Sequence, residues 1–394
     1  MPPISRRDLL SGLAALAAPH ASFPAPAPTA PVAVARCRDY GSDLMPTVQA
    51  MFDQLGGLGR LVKGKTVAIK LNLNGGAHTR AGYLPVEDTH FPHPNLISVV
   101  LHLMGRAGAR RIRLVESAWT PNGVEADSLE EHLIQSGWEP LDFVRATTAP
   151  VEFENTNSLG KARSYVRLKV PGGGRIYPAY DLNHSYADCD FFVTLGKPKD
   201  HETTGVTLSI KNLFGITPLT IYGPKAPEDE PARVPSGSRI ETLHYGRRQP
   251  PRSAPQEIDP NSTRDDHYRL PHIITDLALA RPIHLAIIDG IKTMAGHQNP
   301  GPHVDPVEPG FLIMGTNPVT TDAVTMAAMN YDPMAPRGQV PFDVPCENTL
   351  QLAEEKGLGT RDLKRIEVVG TPVSEVMFDF KALRARRAAR RRVS

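Results

Sequence analysis

The chain has 394 residues, with 44 Lys+Arg against 42 Asp+Glu, a formal net charge of +2, and 40% apolar residues. That balance excludes a chain that is disordered or coiled-coil throughout, and the length suits one large or two medium domains with a sizeable core. Residues 381–394 hold Lys381 and six arginines, which leaves the body acidic and excludes a nucleic-acid-binding face on it. Cys37, Cys189 and Cys346 lack C-x₂-C spacing, so neither a disulfide scaffold nor a zinc or iron–sulfur site is expected.

In chain order, Ser5-Arg6-Arg7-Asp8 precedes a short apolar run over 9–18. Paired arginines before a weak hydrophobic segment are the pattern of a twin-arginine export signal, and the run is too short to span a bilayer. Residues 1–30 are therefore expected to be a signal and Pro/Ala linker. The twin-arginine translocase is the implied partner and the periplasm the destination. Export by this route carries folded proteins, many of them loaded with a cofactor.

Residues 31–37 read as a first strand. Residues 44–62 carry helical apolar spacing (Leu44, Val48, Met51, Phe52, Leu55), and 65–72 read as a buried strand with a polar end. A helix follows over 93–108, then a strand over 111–116, a helix over 129–137 and an extended segment over 139–145. Glycines 172–174 mark a hairpin-like turn between 165–170 and 175–180, and 189–195 is a strongly buried strand. Residues 221–266 are rich in Pro, Arg, Asp and Ser and predict a long surface excursion, a candidate lid. Then come a helix over 272–279, strands over 284–289 and 310–314, helices over 321–329 and 349–356, and a strand over 365–369. This alternation predicts an α/β domain over 31–380, a mainly parallel sheet flanked by helices, with two lobes around a cleft as one arrangement. The tail over 381–394 is expected to be frayed and solvated, with contact to anionic lipid as the alternative.

Ligands of open α/β sheets bind beyond the carboxyl ends of strands. Four such ends are polar here: Lys70 to Asn74, Glu116-Ser117, Lys197 to His201, and Asp289-Gly290. The third opens LGKPKDHETTGVTLSIKNLFG, with Gly205 as an expected helix start and Lys211-Asn212 one helix later. Lys197, Lys199 and Thr204 have the chemistry of an anion cradle. His201 is a candidate general base or metal ligand. Lys211 lies within an apolar stretch, where a bare ammonium is costly, so it must be paired or functional. Asp322, after Thr316-Asn317, is read evenly as a helix-start acid or a functional carboxylate. His90 with His93, and His297 with His303, are expected to be surface or satisfied histidines rather than metal pairs.

Together these segments resemble the family known as domain of unknown function 362, from about residue 31 to 380. The resemblance rests on the opening strand, Lys65 to Asn72, Gly108 to Glu116, Lys197 to Gly215, Asp289-Gly290 with Gly296 and Gly301-Pro302, and Thr321 to Val324. Some members carry iron–sulfur clusters in an added region, and this sequence has no cysteine cluster for one. A looser resemblance links His201 and Lys211 to the lactate racemase family. There a matching His and Lys hold a nickel–pincer nucleotide, the Lys covalently. Gly75 to Arg80 echoes that family's Asp-x-Thr-Arg segment but has Gly76 or Ala77 in place of the acid.

The expected function is an exported enzyme with a Lys/His-lined cleft for a small anionic ligand. Lys70, Asn72, Glu116, Lys197, Lys199, Thr204, Asn212 and Asp322 would bind, and His201, Lys211 and Asp289 would act chemically. Isomerase or oxidoreductase chemistry on a hydroxy-acid-like substrate is the concrete version, with a metal or nucleotide-derived cofactor as an open possibility. A non-catalytic periplasmic ligand-binding or cofactor-handling protein is the alternative.

Overall fold

The computed structural model describes residues 26–76, 79–118, 128–158, 164–301 and 304–391, with side chains to residue 386. Most of the expected signal, Ala77-His78 and His303 lie outside the described residues.

The strands are β1 (Val32–Arg36), β2 (Thr66–Lys70), β3 (Arg111–Glu116), β4 (Val151–Asn155), β5 (Val166–Lys169), β6 (Ala179–Leu182), β7 (Phe191–Gly196), β8 (Lys199–His201), β9 (Gly205–Thr207), β10 (Leu285–Gly290), β11 (Thr293–Ala295), β12 (Asp305–Val307), β13 (Phe311–Gly315) and β14 (Val368–Gly370). Eight of them form one sheet in the order β14-β1-β13-β10-β7-β2-β3-β4. Every neighbouring pair is parallel except β1–β13 and β13–β10, so β13 alone runs against the rest. The architecture is the expected α/β one.

Alternate residues of each strand enter opposite faces, as the two-residue pleat requires. Val32, Ala286, Ile288 and Ile313 pack on one face with Leu270, Ile273, Ile274 and Val319. Ala33, Leu285, Ile287 and Leu312 pack on the other with Val48, Phe52, Leu96 and Val100. Among the helices that cover the second face are α1 (Leu44–Gln54), α2 (Leu58–Val62) and α3 (Pro94–Arg106). Proline opens α3 at a position whose N–H needs no partner, and the His93 ring accepts from the Asn95 N–H as its cap.

Residues 139–145 are not extended. After α4 (Leu129–Gln135), they form α5 (Pro140–Arg145). Pro140 stands at the first helical position, and the Glu139 side chain accepts from the Leu141 N–H. A cap and an N-terminal proline therefore outweigh the local run of apolar residues.

Gly205 does not begin a helix either. Its φ of 75° lies in the left-handed region, and it turns the chain into β9, which pairs antiparallel with β8. Lys211 sits in the single turn that follows, α6 (Ser209–Asn212). A further short turn, α7 (Leu219–Tyr222), leads into the 221–266 segment.

That segment is more than a surface excursion. Arg239 and Leu243 are buried, and residues Ile240–His244 form a π-helical turn against the body. It ends at α8 (Asp266–Ala280), followed by α9 (Pro318–Ala328), α10 (Thr349–Glu355), α11 (Val373–Val376) and α12 (Phe380–Arg391). The tail thus continues as a helix rather than fraying at 381. Arg384 pairs with Asp343 at 2.5 Å and lies 3.6 Å from Asp200.

Candidate functional site

The sheet order brings the four polar strand ends together. β10, β7, β2 and β3 are consecutive neighbours and run the same way. Asp289, the Lys197 loop, Lys70 and Glu116 therefore share one edge of the sheet, where α/β folds bind ligands. Above it lies a cavity of about 180 Å³. Its floor is Lys70, Asn72 and Glu116; its walls include His201, Lys211, Asn212 and Phe214; the 221–266 segment adds Arg239 and His244. Gln298 and Asn299 also line it, and Asn74 Nδ2 donates to Asn299 Oδ1 at 2.7 Å.

Lys70 is ion-paired with Glu116 and donates to the Leu71 carbonyl at 2.6 Å and Asn212 Oδ1 at 3.3 Å. Glu116 also accepts the Leu73 N–H at 2.7 Å and the Ser117 N–H at 2.8 Å. Burial lowers the Lys70 pKa, and the Glu116 charge opposes that shift. Gly215 lies against this pair: a Cβ there would stand 2.9 Å from Lys70 Nζ. A side chain at 215 would push the floor of the cavity apart.

Lys211 is the opposite case. Its ammonium lies 4.7 Å from the centre of the Phe214 ring, and it has no hydrogen-bond or ion-pair acceptor among the described residues. Burial, with the Lys70 and Arg239 charges nearby, lowers its pKa to about 7. Arg239 is held at Nε by the Thr217 carbonyl (2.5 Å) and at Nη2 by Asn157 Oδ1 (2.9 Å). The chain thus presents fixed positive charge around one lysine that lacks a counter-charge among the described residues.

His201 is buried, and its Nδ1 accepts the Thr203 N–H at 3.0 Å. The neutral ring then carries its proton on Nε2 and offers a donor to the cavity. Burial, then the Lys211 charge, lowers its pKa well below the usual histidine value. A histidine that binds a metal through Nε2 donates from Nδ1, which this backbone amide forbids. The residues present therefore do not fit the nickel-bound group that the lactate racemase resemblance implies. Asp265, Asp266 and His267 could share an ion at the start of α8, but none of them lines the cavity.

The other candidates stand beside the cavity. Lys197 donates to Tyr40 Oη at 3.0 Å and to the Lys292 carbonyl, and lies 3.2 Å from Asp289. Asp289 accepts from Tyr40 at 2.8 Å and from the His93 N–H at 2.9 Å, which closes the network. Lys199 donates to Asn72 Oδ1 and the His90 carbonyl, each at 3.1 Å, and so fixes Asn72; burial, with Lys197 and Lys211 nearby, lowers its pKa to about 7. Asp322 accepts the Ser209 and Ile210 N–H groups, each at 3.0 Å, and the Ser209 hydroxyl at 2.6 Å. It caps the turn that carries Lys211 rather than a turn of its own helix; burial raises its pKa to about 6. Thr204 donates to the Val206 carbonyl at 3.1 Å within the β8–β9 hairpin. His93 stacks on Tyr40, and His297 pairs with Glu202 at 3.2 Å. Among the cavity residues that the sequence reading missed are the titratable Arg239 and His244, because the polar segment holding them shows no periodicity.

Fold and cavity define the class: an α/β protein with a small cationic pocket above the carboxyl edge of a mainly parallel sheet. The chain belongs to the family described as Domain of unknown function (DUF362), whose model matches residues 67–327 and so takes in every candidate residue from Lys70 to Asp322. It is similar to the Thylakoid-associated protein sll1697 of Synechocystis sp., 24% identical over 307 residues, which is 77% of this chain and 75% of that protein. It is also similar to the solved lactate racemase apoprotein from Thermoanaerobacterium thermosaccharolyticum, at TM-score 0.34 and 12% identity over 71% of this chain. The match spans about half of that structure, 54% of its length.

Proposed function

We propose that this chain is an enzyme that binds a small carboxylate-bearing substrate in the Lys211 cavity. One observation carries the reading: Lys211 faces the cavity beside Lys70 and Arg239 with no acceptor among the described residues. Burying a cation without a partner is costly, and an anionic ligand supplies the missing charge. Arg239 provides permanent charge, Asn72 and Asn212 provide amide groups, and the His201 Nε2–H is a directed donor. The volume, about 180 Å³, suits a ligand smaller than the ~300–1,000 Å³ of drug-sized pockets. A lysine whose pKa lies near neutrality can exchange a proton with such a ligand at physiological pH, which favours turnover over simple capture.

Thermal unfolding with added L-lactate tests the binding. A ligand that binds only the folded state raises stability, by about 2.7 kcal/mol at a hundred times its dissociation constant. Wild-type protein should melt higher with lactate, and Lys211→Met should lose the shift while keeping its fold. An equal shift in both proteins would remove Lys211 from the site.

The reading includes export. Arg6-Arg7 ahead of the apolar run supports passage through the twin-arginine translocase to the periplasm. Among the described residues no helix is long and apolar enough to cross a membrane. Arg6→Lys with Arg7→Lys should hold the protein in the cytoplasm on fractionation. Unchanged distribution would contradict export by this route.

A further inference from the structure

Lysine is a poor choice for a pure anion anchor in this cavity. Arg239 already supplies a charge that does not titrate, and a second guanidinium would serve better than an amine that loses its proton near neutrality. What an amine offers, and arginine does not, is a nucleophilic lone pair. Desolvation beside other cations is the established way to free it. Each neighbour of Lys211 fits that use. Glu116 is committed to Lys70 and to two backbone amides, so it does not hold the Lys211 ammonium in place. Arg239 is fixed by two acceptors and cannot swing away. Phe214 covers the amine with an apolar face. Asp322 holds the turn that carries Lys211 through the Ser209 and Ile210 amides.

We propose that Lys211 forms a Schiff base with the carbonyl carbon of a small 2-oxo acid whose carboxylate is held by Arg239. The inference rests on the anion-site reading above and names its substrate class. In the step, the neutral Nζ lone pair attacks the carbonyl carbon. A C–N bond forms, and the C=O π pair moves to oxygen, where the His201 Nε2–H hydrogen-bonds to the developing charge. A proton passes from nitrogen to that oxygen to give the carbinolamine. The C–O bond then breaks as a proton from solvent reaches the oxygen, water leaves, and the nitrogen lone pair forms the C=N bond of a protonated imine. One carbonyl compound, one amine and one proton taken up from solvent give one iminium and one water, with no oxidant or reductant consumed. The resulting iminium is an electron sink at the carbon chain, suited to proton removal at the adjacent carbon.

The test uses full-length protein, pyruvate as the probe, and borohydride to reduce any imine to a stable amine, with peptide mass spectrometry to locate it. Lactate, which has the carboxylate but no carbonyl, serves as competitor, and melting curves are recorded with both. We expect the reduced adduct on Lys211, about tenfold or more above any exposed lysine, since an ordinary lysine at pKa ~10.4 is almost wholly protonated at neutral pH. Lactate should suppress the adduct, and Lys211→Met should lack it. If both acids raise the melting temperature but no adduct forms on Lys211, the Schiff base is wrong and the anion site stands. If neither acid shifts melting, both readings fall.

Discussion

Lys197, fully buried, and Lys211, half-buried in the cavity wall, are fourteen residues apart at the same sheet edge, yet they live in opposite surroundings. Lys197 has a carboxylate, a phenol oxygen and a backbone carbonyl within reach, and the carboxylate is itself held by a tyrosine and an amide. Lys211 has an aromatic ring and two other cations. The first arrangement satisfies every ammonium proton and leaves nothing for a ligand. The second leaves the charge for something else to neutralise. Burial of a lysine is therefore no guide to function by itself; the inventory of its acceptors is.

The contrast breaks most visibly if the satisfied cluster is cut. Asp289→Asn leaves the Lys197 charge without its counter-ion in a closed site, and losing one partner of a buried pair costs about 3–5 kcal/mol. Chemical denaturation should show a loss of that size. Lys211→Met, which removes a charge with no acceptor among the described residues, should leave stability unchanged or higher. Equal losses in the two variants would mean that Lys211 is as firmly paired as Lys197.

Proton linkage sharpens the same comparison. Lys199 and Lys211 have folded-state pKa values near 7, against an ordinary lysine value of 10.5. Between those limits the unfolded chain binds more protons than the folded one, so ligand-free stability must rise as pH rises from about 7 toward 10.5. The full cost of the buried ammoniums is present below 7. Denaturant midpoints at pH 7 and pH 9 should show the rise, and Lys211→Met should shrink it. A flat profile in wild type would contradict the uncompensated charge.

The smallest effect belongs to α12. Arg384 is mostly enclosed and pairs with the half-exposed Asp343, while Asp200 keeps the Tyr331 hydroxyl and the Gly296 N–H, each at 2.6 Å, without it. Arg384→Ala should cost about 0–1 kcal/mol, the usual worth of a partly exposed pair, and leave lactate binding intact. A loss of lactate binding would tie the tail to the site.

Much of the fold was legible because it was written in local patterns. Buried runs followed by polar residues located Lys70, Glu116, Lys197 and Asp289 at strand ends. What local pattern cannot supply is the lateral order of strands. Only the sequence β10-β7-β2-β3 shows that these ends are neighbours, and only the side-chain partners separate Lys211 from Lys197. Arg239 and His244 escaped because a single π-helical turn in a polar segment has no periodicity to detect. Gly205 misled because a glycine after a polar run marks a hairpin as readily as a helix start. In the sequence Asp322 reads evenly as a helix-start acid or a functional carboxylate; the turn it actually caps lies more than a hundred residues away.

The most direct test of the account is a pH titration of the Lys211 side-chain nitrogen by ¹⁵N-lysine NMR, with Lys211→Met for assignment. The structure predicts that Lys211 titrates near 7 in the free protein and that its pKa climbs when lactate is added, because a bound carboxylate favours the ammonium. A Lys211 signal that titrates above 10 in the free protein, or that ignores lactate, would contradict the claim that this lysine waits for an anion.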